Sequence, residues 1–474
     1  MSRSILAFIL PVFSKFEYFS SIDHLNSLNY LEQNLIIELK NYLEDEKIRL
    51  AELQNFVDDQ QVASDLSHPV NQYRLIKRTV DSWPKVIKNV QSNIDTLDLR
   101  TGPRQIFDQQ ALNLENLPDE SDKIGATDAL LRLQKLYFPH DPLAFETELK
   151  AQISLTVDDF YEVGMHALDN NDIITALYWF RAAYHKNVLE RQEDFDMINL
   201  MDHIAYLFSQ ILHFRTAIDF SQSAIRLALD DTGKEDTIAR LNKNIEIYAG
   251  YLSKDIMQVE DEFELEGEIR VPDHLIPLKN DWEDDYSRLC REKNTKYAIG
   301  SEDKGLVCYY LDRKNPRLIL KPAKVEQINK NPEIVIFHDA ISHLEAKKLK
   351  DIALPKLYRA TINNYETGAV EYAKYRVSKN SWLTEYEWDD NEKLVRKLNQ
   401  RIGDYTGLSM DTAEELQVNN YGPGGQYEPH WDHSKRGDFQ KNGNRIATFM
   451  FYLSDVEQGG NTAYLGYSSS LEKY

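Results

Sequence analysis

Leu25, Leu28, Leu31, Leu35, Leu39 and Leu43 follow one another at steps of three and four residues. That spacing places them on one stripe of a helix and predicts a long amphipathic helix from residue 16 to about 60. Glu44, Asp45, Glu46, Lys47 and Arg49 form a solvated turn within it, and Leu50 and Leu53 resume the stripe. Such a stripe needs a partner. An intramolecular helical hairpin and a coiled-coil-like dimer seam both satisfy it. Further helices are predicted over Tyr73 to Val90 and Ala126 to Tyr137, with an Asn-, Asp- and Pro-rich loop over 98–124 between them.

Residues 155–230 hold an internal repeat. Gly164, Ala176 and Ala183 recur as Ala205, Ala217 and Ala224, each 41 residues later. Small residues at fixed places let paired helices approach closely, and Thr156 with Asp159 reads as a capping box opening the first helix. The pattern is similar to tetratricopeptide helix pairs, stretched by a loop over Glu190 to Asp194. Tyr178, Trp179, Phe180, Tyr184, Tyr206 and Phe208 crowd the segment. Most belong in a core, and a few are candidates for a peptide-binding face.

Residues 258–270 carry six acids and read as a solvated linker. Beyond about residue 331 the helical period gives way to β-branched and aromatic alternation. Strands are predicted at Ile334 to Phe337, Tyr375 to Trp382, Glu415 to Tyr421 and Ile446 to Leu453, with a helix from Leu344 to Ala353. Ile446 to Leu453 is apolar on both faces, which predicts a central buried strand with the Thr448 and Tyr452 hydroxyls in need of partners.

The chain has 474 residues, enough for about three domains. Its net charge of −22 argues against nucleic acid as a partner. No apolar run is long enough to span a membrane. Arg3 followed by the apolar Ile5 to Phe13 predicts a signal peptide over 1–15. The cysteines are Cys290 and Cys308 alone, too few for a cysteine zinc site or a disulfide framework.

The chemistry concentrates between Gln417 and Tyr452. On an extended chain His430 and Asp432 share a face, so an imidazole and a carboxylate can meet one metal. They are two corners of the two-histidine, one-carboxylate triad of non-haem Fe(II) oxygenases.

The run EELQVNNYGPGGQYEPHWDHS with GNRIATFMFYLSDVEQGGNTA resembles the catalytic domain of the collagen prolyl 4-hydroxylase alpha-subunit family. FEYFSSIDHL at 16–25, HPVNQYRLIKR at 68–78, residues 126–137, NPEIVIFHDAIS at 331–342 and YRVSKNSWL at 375–383 are similar to further segments of it. The resemblance reaches to about Tyr464. It implies an α+β multidomain chain: a signal peptide (1–15), a helical dimerisation region (16–150), a tetratricopeptide-like peptide-substrate-binding domain (151–252), a linker (253–330), and a jelly-roll Fe(II)/2-oxoglutarate dioxygenase domain (331–474) that the sequence carries incompletely.

The same resemblance implies His430 and Asp432 as iron ligands and Tyr421, Thr448 and Tyr452 as cosubstrate-binding residues. It implies Trp179 and Tyr206 as aromatics of the peptide-binding domain, and Cys290 and Cys308 as a disulfide pair. The implied reaction decarboxylates 2-oxoglutarate with O2 and hydroxylates proline in X-Pro-Gly sequences, with L-ascorbate rescuing oxidised iron. Implied partners are procollagen-like polypeptides, protein disulfide isomerase as second subunit, and a second copy through the N-terminal helices. The implied location is the endoplasmic reticulum lumen.

One departure stands beside the match. After Asp432 the only histidine is His433, which points to the opposite face, and the residues beyond Tyr464 do not resemble the family. The second metal histidine and the lysine for the distal carboxylate of 2-oxoglutarate are not in the sequence given. Two expectations follow: an enzyme subunit by homology, or an inactive form that binds proline-rich peptides or assembles with the second subunit.

Overall fold

The computed structural model describes residues 65–86, 88, 118–149, 151–192, 194–229, 233–253, 268–272, 283–291, 305–363, 370–373, 375–383, 390–433, 443–456 and 458–465, and helical positions scattered between 30 and 54. The expected signal peptide and the leucines of the first stripe lie outside the described residues. The chain forms two units, one from residues 1–64 and 81–113, the other from residues 65–80 and 114–474. In the first, the described residues of 30–54 are helical and Lys47 pairs with Glu44 one turn away.

The second unit starts with α1 (Pro69–Lys77), which has Pro69 in its first turn and the His68 ring accepting from the Val70 amide. The predicted helix ran on to Val90, but a π turn over Arg78–Ser82 interrupts it. Helix α2 (Glu120–Tyr137) begins six residues earlier than the apolar pattern predicts. Asp119 and Asp122 form a reciprocal capping box there, so a polar segment expected as loop nucleates the helix. The short α3 (Ala144–Thr147) follows.

Five helices make the array that follows: α4 (Val157–Asp169), α5 (Ile173–Glu190), α6 (Met197–Gln210), α7 (Phe214–Leu229) and α8 (Glu235–Leu252). Each packs against the next. The 41-residue repeat is visible in the backbone: α5 and α7 start 41 residues apart, and the left-handed residues before them, Asn171 and Leu212, have φ of 59° and 66°. Thr156 and Asp159 form the expected capping box. Ala176, Ala183, Ala205, Ala217 and Ala224 are all fully buried. One core runs through the array and also takes Val70 and Tyr73 of α1, Leu130 and Leu131 of α2, and Phe145 of α3.

The acidic linker does not end in solvent. Residues 268–272 lie against the array, where the Ile269 amide donates to the Tyr178 hydroxyl and His213 Nε2 meets the Arg270 carbonyl at 2.7 Å. Ile269 and Val271 pack on the core and hold the segment down.

The rest of the unit is α9 (Glu283–Arg291), β1 (Cys308–Leu311), α10 (Pro316–Leu320), β2 (Ala323–Lys330), β3 (Glu333–His338), α11 (His343–Ala353), β4 (Tyr358–Arg359), β5 (Thr361–Asn363), β6 (Val370–Tyr372), β7 (Arg376–Val377), β8 (Lys379–Leu383), α12 (Asp390–Thr406), β9 (Leu416–Asn420) and β10 (Gln426–Tyr427). Among the described residues the strands form small antiparallel sheets in the orders β1-β2-β3, β4-β8-β9, β5-β6 and β7-β10. Helices α11 and α12 cover the β8–β9 sheet through Leu349, Ala353, Leu394, Val395 and Leu398 against Leu383 and Val418.

The predicted strand Ile446 to Leu453 forms no ladder among the described residues. Only one of its faces is covered. Phe449 stacks on Phe337, and Phe449 and Phe451 pack among Leu318, Val325 and Tyr405. On the other face Ile446 is 84% and Tyr452 65% exposed, and Thr448 is exposed too. The expected central buried strand is therefore a half-covered one, because among the described residues its second face meets polar contacts to Asp432 and Thr462 and stays largely exposed.

Candidate functional site

The approach to the site is set by backbone pairing. Strand β9 leads into Gly422-Pro423-Gly424-Gly425, where the Gly425 amide donates to the Gly422 carbonyl at 2.8 Å. Gly424 has φ +71°, the conformation that a Pro-Gly turn requires of its third residue. Strand β10 pairs with β7, and the Glu428 amide donates to the Tyr375 carbonyl. The ladder ends there, and residues 428–433 continue without it.

His430 and Asp432 nonetheless converge as their i, i+2 spacing predicts. His430 Nδ1 lies 2.8 Å from the Glu428 carbonyl, which can only accept, so Nδ1 donates and Nε2 is the ring nitrogen turned toward Asp432. That Nε2 stands 3.5 Å from Asp432 Oδ1. Two ligand atoms held about 2 Å from one metal at nearly a right angle stand roughly 3 Å apart, so the pair fits two adjacent corners of a metal site. The second carboxylate oxygen of Asp432 accepts from Thr448 Oγ1 at 2.5 Å, which fixes the carboxylate plane. Among the described residues no cluster of three or more metal-ligating side chains forms.

The other expected residues stand apart from this pair or play a different part. The Tyr452 hydroxyl bonds Thr462 Oγ1 at 2.6 Å, and Tyr421, just past β9, is half-exposed. Trp179 is 0% exposed, between Phe145 and Phe160. A peptide cannot reach it, so it belongs to the core and not to a contact surface. Tyr206 is 46% exposed on α6 and is available. Cys290 on α9 and Cys308 at the start of β1 are both free thiols, and residues 292–304 between them lie outside the described residues. Burial pushes the Cys290 thiol up.

Four residues that sequence reasoning missed complete the surroundings. Tyr427 stacks on His430 with ring centroids 3.7 Å apart, and the Arg376 guanidinium lies over the other side of Tyr427 at 4.6 Å. Burial pushes the Tyr427 phenol up, against the pull of Arg376. Arg376 donates to Gln417 and Asn419 on β9, while its buried Nε and the buried Ser378 hydroxyl have no partner among the described residues. Arg445 forks onto the Glu414 carboxylate and donates to the Asp432 carbonyl. Only the place of Tyr427, three residues before His430, offered a local signal.

The helical array has its own polar face. Tyr161 on α4 bonds His203 and Asn199 on α6. Asp202 on α6 pairs with Arg240 on α8 and accepts from Asn244. Tyr206 lies one turn beyond Asp202.

Comparison with known proteins identifies the family. Residues 21–139 match the family described as prolyl 4-hydroxylase alpha-subunit, N-terminal region, and residues 416–472 match the 2OG-Fe(II) oxygenase superfamily. Prolyl 4-hydroxylase subunit alpha-2 of Gallus gallus is 31% identical over 478 residues, covering 96% of this chain and 85% of the relative. The chain belongs to the prolyl 4-hydroxylase alpha-subunit family. Subunit alpha-1 of Homo sapiens is 31% identical over 94% of this chain and 84% of its own, and subunit alpha-2 of Caenorhabditis elegans 30% over 98% and 85%. The oxygenase match implies a jelly roll around the small antiparallel sheets and a 2-oxoglutarate-dependent prolyl hydroxylase using Fe(II), 2-oxoglutarate and ascorbate. No helix among the described residues is long and apolar enough to cross a membrane.

Proposed function

We propose that this chain is a procollagen-proline 4-hydroxylase alpha subunit whose metal is held by His430 and Asp432. The carrying observation is the orientation of His430: its Nδ1 donates to the Glu428 carbonyl, and its Nε2 faces Asp432 at 3.5 Å. Fe(II), when bound with 2-oxoglutarate and O2, supplies the oxidising chemistry for a prolyl C–H bond. The chain's own residues bind and orient. Thr448 holds the Asp432 carboxylate with its one hydroxyl proton, and Tyr421 and Tyr452 are the hydroxyls for the cosubstrate. Tyr427, between the His430 ring and the Arg376 guanidinium, braces the imidazole. The unpartnered Arg376 Nε and Ser378 hydroxyl are polar groups left for a substrate.

The polypeptide partner fits the array. A procollagen-like X-Pro-Gly chain is preformed and extended, at low entropic cost, and suits a face of aromatic and polar side chains. The tetratricopeptide-like face of α4, α6 and α8, with Tyr161, Asp202, Tyr206 and Arg240, supports that assignment. The relatives' names call them subunits, which supports assembly with a second chain, protein disulfide isomerase, in the endoplasmic reticulum lumen, where Cys290 and Cys308 pair. The leucine stripe supports self-association through the N-terminal helices.

A second reading is a chain that binds such peptides without turnover. It is favoured by the described residues bringing only His430 and Asp432 together as metal donors. The deciding assay is 2-oxoglutarate decarboxylation with a (Pro-Pro-Gly) repeat peptide, Fe(II) and ascorbate, on the chain co-expressed with protein disulfide isomerase. Peptide-dependent turnover abolished by His430→Ala establishes the first reading. Saturable peptide binding with no turnover establishes the second.

A further inference from the structure

Helix α2 touches the turn that leads into the metal-ligand pair. Arg132 donates from both Nε and Nη2 to the Gly424 carbonyl, at 3.1 and 3.0 Å, across 292 residues of sequence. The turn is seated directly on the helix: a Cβ added at Gly424 would stand 2.5 Å from Ala129 Cβ and 2.9 Å from its Cα. A second loop rests on the end of the same helix, because a Cβ at Gly459 would meet the Tyr137 hydroxyl at 3.0 Å. Burial lowers Arg132 within its strongly basic range, Asp128 working against it, so the group stays charged.

On its adjoining residues α2 is fastened to the peptide-binding array. Asp128 meets His166 Nε2 of α4 at 2.7 Å, and Lys135 pairs with Asp172 at the start of α5. From Gly424 the route to the ligands is short and backbone-defined. Two residues on is β10, held by β7, then the Glu428 amide held by Tyr375, then the Glu428 carbonyl that orients His430. A shift of the turn is therefore a shift of the imidazole.

We infer that α2 is a bracket to which both the peptide-binding array and the 422–430 segment are fixed, and that Arg132 is a positioning residue for His430. The inference rests on the proposed metal site only in its functional consequence; the mechanical claim stands on the Arg132–Gly424 contact. A forked guanidinium on one carbonyl fixes both direction and distance, which a single ammonium donor does only in part.

The test has two arms, on the full chain co-expressed with its partner subunit. In the first, amide hydrogen exchange is followed in peptides spanning 421–430. Arg132→Ala is expected to speed exchange there about tenfold or more while α4 to α8 keep wild-type protection, and Arg132→Lys to recover part of it. Gly424→Ala, which presses a methyl against Ala129 of the same helix and lifts the turn off it, is expected to give the same local signature. Wild-type exchange over 421–430 in both Arg132→Ala and Gly424→Ala overturns the bracket. In the second arm Co(II) affinity is titrated spectroscopically. Loss of an orienting contact around a ligand costs roughly 10–100-fold, and that loss is expected for Arg132→Ala with the thermal midpoint of the array unchanged. Wild-type Co(II) affinity in Arg132→Ala overturns the positioning role. If His430→Ala also leaves Co(II) affinity unchanged, the metal-site reading itself fails, and the exchange arm still decides the bracket.

Discussion

Gly164 of α4 faces the ring of Phe180 on α5 so closely that a Cβ in its place would stand 2.6 Å from Cδ1 and Cε1. Phe180 is fully buried, so the ring has nowhere to go. Overpacking of this kind costs about 1–3 kcal/mol. Gly164→Ala is expected to lower the unfolding free energy by that amount, seen as a lower urea midpoint at unchanged slope when followed by circular dichroism. At the repeat-equivalent Ala205, reversion to glycine tests the opposite limit: loss of a fully buried methyl and gain of backbone freedom destabilise by about 1 kcal/mol.

Tyr206 is an exposed aromatic of the array face, one turn from the Asp202–Arg240 pair. If that face takes proline-rich peptide, Tyr206→Ala should weaken binding of (Pro-Pro-Gly) repeats by roughly 2 kcal/mol, the size of an aromatic hot spot. Trp179→Phe should leave affinity unchanged, because the indole is buried. Calorimetric titration of the full chain measures both. Equal affinity of Tyr206→Ala and wild type would move the peptide site elsewhere.

Asp128 holds His166 above the usual imidazole value through their hydrogen bond, with burial working the other way. A raised folded value means that the contact stabilises in full below about pH 6.5, the unfolded value. The contribution is lost as pH rises through the higher folded value. The pair is part-exposed, so the effect is about 1 kcal/mol or less. Imidazole resonances followed by NMR should show His166 titrating late, and His166→Gln should remove that segment of the stability–pH curve.

Cys290 and Cys308 are expected to link in an oxidising compartment, and the closed loop should stabilise the chain by about 3 kcal/mol in the chain-entropy model. Mass mapping of secretory material without reduction should recover the linked peptides. A thermal midpoint insensitive to dithiothreitol would show that the pair does not form.

Much of the array was legible in the sequence because its determinants are local. The 41-residue offset of small residues, the Thr156 capping box and the helix-breaking turns all act within one or two helices. The His430–Asp432 pair was legible for the same reason, since two residues on an extended chain share a face wherever the chain lies. The start of α2 is less legible, because its Asp119 cap is polar and lies outside the apolar period.

What the tertiary structure decided is where those local pieces are buried and what stands opposite them. Trp179 and Tyr206 are both aromatic residues on helices of one array, yet one is sealed in the core and the other open, because burial depends on which neighbours pack over a face. The alternation of Ile446 to Leu453 fixed its two faces, while only packing determined that Phe449 and Phe451 are covered and Thr448 and Tyr452 are not. The pairs Arg132–Gly424, Asp202–Arg240 and Arg376–Asn419 join residues 292, 38 and 43 positions apart. No periodicity encodes such pairs, since a periodicity carries information only over a few turns, and a salt bridge or a seated turn exists only after the whole chain has chosen its neighbours.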